Sequence, residues 1–184
     1  MASGQTNTIH PSYQHLNLRI RDFLDVFAPP PGRRLWYGGA SLFGTLRGVN
    51  AVQAVWKPEG YVHSIWELAL HCAYARYNIR RSFEGRQERG GFPRKGGYWP
   101  GMPDPADEAA WKQDVALLKE EQLRLVEAVR GFDASRLEEL ATQENRYIDL
   151  LWGIIMHDLV HVGEMGVIKH LYGARQIKVQ TRPE

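Results

Sequence analysis

The chain has 184 residues, 43% of them hydrophobic, which suits a single domain with one sizeable core. Its formal net charge is only +2, so no strong overall field recruits nucleic acid or an anionic membrane. These figures argue against a protein that binds nucleic acid through its overall charge, and they are ordinary for a globular protein.

The first predicted helix spans about residues 12–28. Apolar residues recur on one face of it: Leu16, Ile20, Phe23, Leu24 and Phe27. The proline run in APPPG ends this helix, because proline lacks the N–H group that a helix needs. The glycine-rich stretch WYGGASLFGTLRGV follows, and its residues 41–46 are predicted to form a short helix.

The second long helix is predicted over about residues 63–84. Ser64 and Glu67 match a capping box, in which the hydroxyl and the carboxylate bond the free N–H groups of the first turn. Gly85 then suits the end of the helix. The following stretch, RQERGGFPRKGGYWPGMPDPAD, is rich in glycine and proline, so we predict a long irregular connection. Connections of this length are often functional.

Two further helices are predicted over about residues 106–130 and 146–172, ending near Gly131 and Gly173. The tail after Gly173 is polar, and we expect it to be loosely held. Strand-like alternation is scarce, and the sequence has no internal repeat or domain linker. It therefore predicts one all-α domain over residues 1–184, a four-helix bundle with a long Gly/Pro-rich connection between helices 2 and 3. That connection is long enough for a crossover topology.

Three features of the sequence bear on where the protein works. Cys72 is the single cysteine, so no disulfide forms within the chain, which fits a reducing compartment. The first residues, MASGQTNTIHPSYQ, lack a positive segment followed by an apolar one, so we expect no secretory signal. The longest apolar run, LLWGIIM, is far shorter than the roughly 20 residues that cross a bilayer. We predict a soluble, cytoplasmic protein with no membrane segment.

Near the end of the chain, IMHDLVHVGEMG places His157 and His161 four positions apart in an apolar run. Positions i and i+4 of a helix lie about 40° apart around the axis and one turn apart along it. Both imidazoles therefore project from one face, where their nitrogens can approach a common point ~2 Å from each, the zinc–imidazole distance. This spacing recurs in metal sites because the helix itself orders two ligands.

A metal site needs at least a third ligand, and His71 is the best candidate. It lies in the middle of the second long helix, in the apolar context ELALHCAY. Two helices packed ~8–10 Å apart can bring side chains from both to one metal ion. Three neutral imidazoles plus an open position make a catalytic type of site, not a closed structural one. We predict that His71, His157 and His161 bind a divalent metal ion.

Other interpretations of these histidines stay open in the sequence. A histidine in the middle of a helix is often a hydrogen-bonded core residue, and the pair taken alone fits the core as well as a metal. A di-iron bundle requires Glu-x-x-His motifs, which the chain lacks. A zincin requires His-Glu-x-x-His, but Asp158 follows His157, so that assignment is weak and Asp158 is better read as an orienting or capping group. His63 and His170, at predicted helix ends, are weaker ligand candidates.

Two carboxylates lie near the predicted ligands. Glu67 is one turn before His71, and Glu164 is three positions after His161. Either can orient a ligand imidazole, accept a proton in catalysis, or serve as a fourth ligand. For Glu67 the capping box is the stronger interpretation, whereas for Glu164 the structural and functional interpretations are balanced.

Basic residues crowd the second helix and the loop after it: Arg76, Arg80, Arg81, Arg86, Arg89, Arg94 and Lys95. Arg76 and Arg80 are four apart and share a face, so they are candidates to hold a carboxylate-bearing substrate or a thiol cofactor. The competing interpretation is a solvated face, since Glu84 and Glu88 are interspersed. Nucleic-acid binding has less support, because no recognised module is present.

Aromatic residues are candidates to line a pocket: Trp66, Tyr74, Tyr77, Tyr98, Trp99 and Trp152. Aromatic residues on helices usually belong to the core. Tyr98 and Trp99 lie in the Gly/Pro-rich connection instead, so they are the better candidates for a pocket or an interface.

At these residues the chain resembles the DinB/YfiT-like superfamily of metal-binding four-helix bundles. The resemblance covers about residues 36–171 and rests on WYGGASLFGTLRGV, HSIWELALHCAY and LLWGIIMHDLVHVGEMGVIKH. The metal-binding positions of that superfamily correspond here to His71, His157 and His161, the trio that spacing also selects. Many relatives carry a glutamine where this chain has Glu164, which puts a charge near the metal.

The resemblance implies zinc or nickel as the metal and a homodimer as the assembled form. Relatives include thiol-dependent S-transferases, maleylpyruvate isomerases and proteins named as metal-dependent hydrolases. Our first expectation is a thiol-dependent S-transferase that joins a low-molecular-weight thiol to a small-molecule substrate. A metal-dependent hydrolase is the alternative, since a divalent ion activates water as well as a thiol. A non-catalytic, metal-stabilised dimeric bundle is the third interpretation, and neither nucleic acid nor a membrane is expected as a partner.

Overall fold

The computed structural model describes residues 17–29, 41–85 and 91–180. These residues form six α-helices and one 3-10 helix, and their one β-type pairing is an isolated bridge between Leu140 and Arg146. The elements are α1 (Leu18–Phe27), α2 (Leu42–Leu46), α3 (Ala51–Val55), α4 (Ile65–Phe83), α5 (Glu108–Arg130), the 3-10 helix (Ala134–Arg136) and α6 (Tyr147–Gln180). The predicted all-α bundle is confirmed.

Polar caps set the ends of the long helices. In α4 the Glu67 N–H donates to Ser64 Oγ at 3.3 Å, and the Ser64 N–H donates to the Glu67 carboxylate at 2.7 Å. The predicted capping box is therefore present. Gly85 follows the end of α4 with a φ of 68°, a left-handed conformation that glycine adopts without strain. In α5, Asp107 accepts a hydrogen bond from the Ala110 N–H at 2.6 Å.

Two helix starts differ from the prediction. Helix α1 begins at Leu18, capped by Asn17, and residues 12–16, where we placed the start, lie outside the described residues. Helix α3 was missed, because five residues are too few to show a period. Its signal was Asn50, whose side chain accepts a hydrogen bond from the Gln53 N–H at 2.9 Å.

The end of the last helix also differs. Helix α6 continues to Gln180, so the expectation of a loose tail directly after Gly173 was wrong. The sequence ARQIKVQ is made mostly of residues that favour a helix, which offsets the cost of an internal glycine. The extension also has a tertiary contact, since the Arg175 guanidinium lies 5.8 Å from the centre of the Trp56 ring.

Helix α4 occupies the centre of the bundle and packs against both α5 and α6. Its contacts with α5 advance in the same direction along both helices. Near their starts Trp66 Nε1 donates to Asp114 Oδ2 at 2.8 Å, and further on Arg76 Nε donates to Gln122 Oε1 at 2.7 Å. Helices α4 and α5 are therefore parallel, and the connection between them must return along the 19 residues of α4, about 28 Å. This explains the long Gly/Pro-rich connection.

The core has two apolar clusters at opposite ends of the bundle. One joins α2, α3 and the first half of α4 to the second half of α6, and the other joins α1 and the second half of α4 to the first half of α6. Helix α6 therefore runs antiparallel to α4. Buried polar side chains are concentrated on α4 and α5: Ser64, His71, Arg76, Arg80, Asp114, Glu121 and Gln122. Buried polar groups require partners, and those partners define the site.

Among the described helices, α6 is long and apolar enough over residues 147–176 to cross a bilayer by length and composition. A core helix of a bundle meets the same criterion. Helix α6 packs against α1, α2 and α4, and its Asp158 forms an ion pair with Arg76 of α4. The expectation of a soluble, cytoplasmic protein with no membrane partner stays a prediction.

Candidate metal centre

Helices α4 and α6 bring the three predicted histidines together. The Nε2 atoms of His71 and His157 are 2.9 Å apart. The His71 ring centre lies 4.8 Å from the ring centres of both His157 and His161, which are 4.4 Å from each other. One possible ligand atom of each residue lies within 4.8 Å of the others. The antiparallel packing places the middle of α4 opposite the HxxxH pair, which spacing along α6 could not determine.

Two of the three rings have an acceptor behind them. The Tyr98 carbonyl oxygen lies 2.6 Å from His71 Nδ1, and a carbonyl can only accept, so we assign the ring proton to Nδ1. Glu164 Oε2 lies 2.5 Å from His161 Nδ1, which is assigned a proton for the same reason. Both rings keep Nε2 as the nitrogen with a free lone pair. A metal-bound histidine commonly has this kind of partner for its other nitrogen.

His157 provides the test of whether a metal fits. Its Nδ1 is buried without a hydrogen-bond partner, 3.9 Å from Asp158 Oδ1. Its Nε2 lies 2.9 Å from the unprotonated Nε2 of His71, so either a proton or a cation must lie between the two atoms. Two nitrogens that each lie ~2.1 Å from one tetrahedral ion are ~3.4 Å apart, so a shift of roughly half an ångström would let both atoms bind one ion. The three imidazoles therefore fit a divalent metal, and that they bind one stays a prediction.

Electrostatics favour the neutral form of the central ligand. Burial lowers the pKa of His71, and the neighbouring His157 and His161 lower it too, against the raising effect of the Tyr98 carbonyl. A neutral imidazole is the form that binds metal. Burial raises the pKa of the Asp158 carboxyl, but Arg76 and His157 outweigh burial and hold it below its ordinary value.

Arg76, predicted to hold a cofactor, takes part in a buried network. It is 1% exposed, and its guanidinium donates to both Asp158 carboxylate oxygens, at 3.0 and 2.5 Å. It also donates to Gln122 Oε1 at 2.7 Å and to the Cys72 carbonyl at 3.0 Å. The guanidinium therefore links α4, α5 and α6, and Asp158 proves to be its ion-pair partner.

Arg80, the second arginine predicted to hold a cofactor, is 7% exposed. It donates to Glu121 at 3.0 Å and to Glu84 at 2.8 Å. Both carboxylates belong to this chain, so the guanidinium is already neutralised. Binding of a cofactor by Arg76 or Arg80 stays a prediction, and Arg86 and Arg89 of the same cluster lie outside the described residues.

The two predicted carboxylates have different surroundings. Glu67 accepts from the Ser64 N–H and, at 2.9 Å, from Lys57. Burial raises its pKa, but these bonds outweigh burial and lower it. The described contacts of Glu67 are thus those of a helix cap, and its predicted catalytic role gains no support from them. Glu164 differs, because its side chain is 49% exposed and reaches His161.

A cavity of about 330 Å³ opens beside Glu164. Its lining residues are Gly60, Tyr61, Val62, His63, Leu68, Glu164 and Ile168. The wall is mainly apolar, and Glu164 connects it to the three histidines. Small-molecule sites commonly combine an apolar wall with a few polar groups in this way.

The aromatic side of the site was only partly anticipated. Trp99 was a pocket candidate, but its contact with His71 was not predicted, and His63 was ranked among the weaker histidines. The Trp99 ring stacks on His71 with centres 4.1 Å apart and on His63 with centres 3.5 Å apart. The missing signal was the parallel packing of α4 and α5, which directs their connection past the middle of α4.

Cys72 supplies no nucleophile to this site. It is fully buried, and burial raises the pKa of its thiol to about 12. The reactive form of cysteine is the thiolate, which such a thiol does not form at neutral pH. Cys72, His157 and Asp158 also lie close enough to share an ion. A protonated thiol and a carboxylate paired to arginine are, however, a weaker donor set than three imidazoles.

Comparison with known protein families identifies the family of this chain. A family model described as the DinB superfamily matches residues 38–165, over two thirds of the chain. That region contains all three histidines and Glu164. No curated protein and no solved structure matches the chain.

Proposed function

The chain belongs to the DinB superfamily, and on that basis we propose that it is a metal-dependent enzyme. In this proposal His71, His157 and His161 hold one divalent ion, zinc or nickel, both of which imidazole ligands suit. One observation carries the proposal: three imidazoles converge, and two of them have an acceptor behind Nδ1 that leaves Nε2 free. Three ligands leave a position for a substrate, as in catalytic sites.

The residues around the ligands have distinct roles in this mechanism. A divalent ion, when bound, lowers the pKa of a coordinated thiol or water toward neutrality. The Tyr98 carbonyl holds the His71 ring, and the Glu164 carboxylate holds the His161 ring. Glu164 also lines the cavity, so it is placed to accept the proton that an incoming nucleophile releases.

We propose transfer of a low-molecular-weight thiol to an electrophilic small molecule as the reaction. The thiol must come from outside the chain, because the thiol of Cys72 is buried and protonated. Hydrolysis is the second candidate, and one observation favours it. Arg76 and Arg80, the proposed anchors for a carboxylate-bearing thiol, are engaged in internal ion pairs. A non-catalytic bundle would have neither activity.

A substrate panel separates these functions. Protein purified without a nickel column and loaded with zinc or nickel is mixed with thiols and an aryl halide, and separately with activated esters and amides. We expect thiol consumption that requires metal and falls about 10²-fold or more in Glu164→Gln, with unchanged metal content. Glu120→Gln, on the exposed face of α5, is the matched control.

The other results of this panel are informative. Ester or amide cleavage without a thiol would replace the transferase by a hydrolase. Turnover that survives replacement of all three histidines would contradict the metal mechanism. A protein that binds metal but turns over none of these substrates would favour the non-catalytic, metal-stabilised bundle over both enzymes.

We also propose that the protein is a homodimer, formed through an apolar face of α6. The solvent-facing residues of this face include five large apolar ones that are 46–66% exposed: Trp152, Met156, Leu159, Val160 and Val167. Gly153, Gly163 and Gly166 lie among them, and at each no atom from outside the adjoining helix backbone lies within 4 Å of the position that a Cβ would take. A helix that is apolar on all sides needs a partner on its second face as well.

The order of residues on this face suits a second copy. In an antiparallel pair related by a two-fold axis between positions 159 and 160, Met156 lies opposite Gly163 and Trp152 opposite Val167. Met156 then meets a glycine, Gly153 lies opposite Gly166, and each of these contacts occurs twice, as in an isologous interface. Val160 lies one turn from both His157 and Glu164, so the partner would border the site.

Sedimentation analysis of Val160→Glu tests the dimer. We expect wild type to have twice the chain mass of 21.1 kDa and the variant to be a monomer, since the interface would bury two unpaired carboxylates. Leu123→Glu, at a 66% exposed leucine of α5, is the matched control and should remain dimeric. A wild-type monomer at micromolar concentration would contradict the dimer, and its adsorption to lipid vesicles would assign the face to a membrane.

A further inference from the structure

A tight turn in the connection between α4 and α5 reaches the metal centre. The Gly101 N–H donates to the Lys95 carbonyl at 2.9 Å, which closes the turn. At its tip the Tyr98 carbonyl accepts from His71 Nδ1 at 2.6 Å. The next residue, Trp99, lays its ring on the His71 ring, with 11° between the two planes. Two consecutive residues thus restrain one imidazole, the first through a hydrogen bond and the second through its face.

Gly96 makes this turn possible. Its φ is +117°, a backbone conformation that side-chain-bearing residues rarely adopt. A Cβ at this position would lie 2.5 Å from the Trp99 carbonyl oxygen and 3.2 Å from Pro100 Cα. Any side chain at position 96 therefore displaces the backbone that carries Trp99. Gly97, with φ +61°, has nothing within 4 Å of its Cβ position, so alanine there is strained but meets no atom.

Contacts on both sides fix the turn to the bundle. Before the turn, Arg94 Nε donates to the buried Asp114 carboxylate of α5 at 3.0 Å. After it, the hydroxyl of Ser64, the N-cap of α4, donates to Met102 Sδ at 3.7 Å. The position of the turn is therefore determined by α5 and by α4, the helix that carries His71.

The second face of Trp99 is also covered. His63 stacks on it with 6° between the ring planes, and His63 lines the cavity beside Glu164. The indole is thereby held between His63 and His71. This stack opposes rotation of the His71 ring about its Cβ–Cγ bond, because a turning ring would push the indole against His63.

We propose that Trp99 and the Tyr98 carbonyl are positioning residues for the metal centre, and that Gly96 sets their place. The turn holds His71 as the Nδ1–H tautomer with Nε2 free, so metal affinity depends on a loop that contributes no ligand. This inference rests on the proposed metal site. Loss of an outer partner of a metal ligand typically weakens metal binding about 10–100-fold.

The first experiment compares Gly96→Ala with Gly97→Ala. Zinc affinity is measured by competition with a chromophoric chelator. We expect Gly96→Ala to bind zinc about 10–100-fold more weakly than wild type and Gly97→Ala to bind it as wild type does. Equal affinities in the two alanine variants would overturn the proposal.

A second pair of variants serves if Gly96→Ala does not fold. Trp99→Leu removes the aromatic face and should weaken zinc binding, whereas Trp99→Phe keeps an aromatic ring against His71 and should restore most of it. A general loss of packing would give similar losses in both variants. Such a result would contradict the positioning role of the ring.

A metal-free measurement separates this inference from the proposed function. Nitrogen-15 NMR of the His71 ring should show the Nδ1–H tautomer in wild type and Gly97→Ala, and a mixture with Nε2–H in Gly96→Ala. If wild type binds neither zinc nor nickel but the three proteins show this tautomer pattern, the proposed metal site is contradicted. The proposed positioning of the His71 ring is then supported on its own. The same tautomer in all three proteins would overturn the positioning role.

Discussion

Replacing His157 by alanine should abolish metal binding. We expect about one divalent ion per chain in wild type, purified without a nickel column and supplied with zinc or nickel, and almost none in His157→Ala. The Nε2 of His157 is 2.9 Å from that of His71. Removing the His157 side chain therefore leaves only two imidazole ligands for the ion. Metal content by elemental analysis is the measurement.

The same experiment carries its own control and a stability readout. His170→Ala removes an exposed histidine of the same helix and should keep the metal. A chelator should lower the melting temperature of wild type and of His170→Ala but not that of His157→Ala. A ligand at 1,000 times its dissociation constant stabilises the folded state by about 4 kcal/mol, so the shift is measurable.

A metal-free wild type would change the interpretation of the site. If neither zinc nor nickel binds, the contact between His71 and His157 is an ordinary hydrogen bond of the core, with His157 Nε2 as the donor. The bundle would then have no metal chemistry, and the proposed function would fail.

Replacing Arg76 by leucine should lower the free energy of unfolding by about 3–5 kcal/mol, a large part of the stability of a domain. The Asp158 carboxylate would lose the cation that holds its pKa below the ordinary value, in a place where it is only 16% exposed. Gln122 and the Cys72 carbonyl would lose a donor as well. Urea unfolding measures the difference.

Two further variants show whether the loss comes from the ion pair. Changing both Arg76 and Asp158 to leucine should recover most of the stability, because it leaves no unpaired buried charge. Lys112→Leu, at a surface pair in which the lysine is 74% exposed, should change the free energy of unfolding by at most about 1 kcal/mol. A loss in the double variant as large as in Arg76→Leu would contradict this account.

The double variant also bears on the cofactor role predicted for Arg76. A folded, metal-loaded double variant with wild-type thiol affinity would show that Arg76 acts in the structure alone. Weaker thiol binding at unchanged stability and metal content would support the predicted contact between the guanidinium and a cofactor.

Features that depend on short-range geometry could be predicted from the order of the residues alone. The capping box of Ser64 and Glu67 acts within one turn, so four residues of sequence identify it. The HxxxH spacing places His157 and His161 on one face wherever the helix lies. His71 was selected by its apolar helical context together with the family resemblance. These patterns are local in the sequence, so they can be recognised without knowing how the helices pack.

Features that depend on which helices are neighbours became visible only in the packed bundle. Parallel packing of α4 and α5 forces the connection back along α4, and this return places Tyr98 and Trp99 on His71. It also decides the state of Arg76. In the sequence, Arg76 stands near other charged residues, as on a solvated helix face. Its partner in the structure, Asp158, is 82 positions away along the chain. Contacts at that separation are set by the packing of the whole core, and no local pattern encodes them.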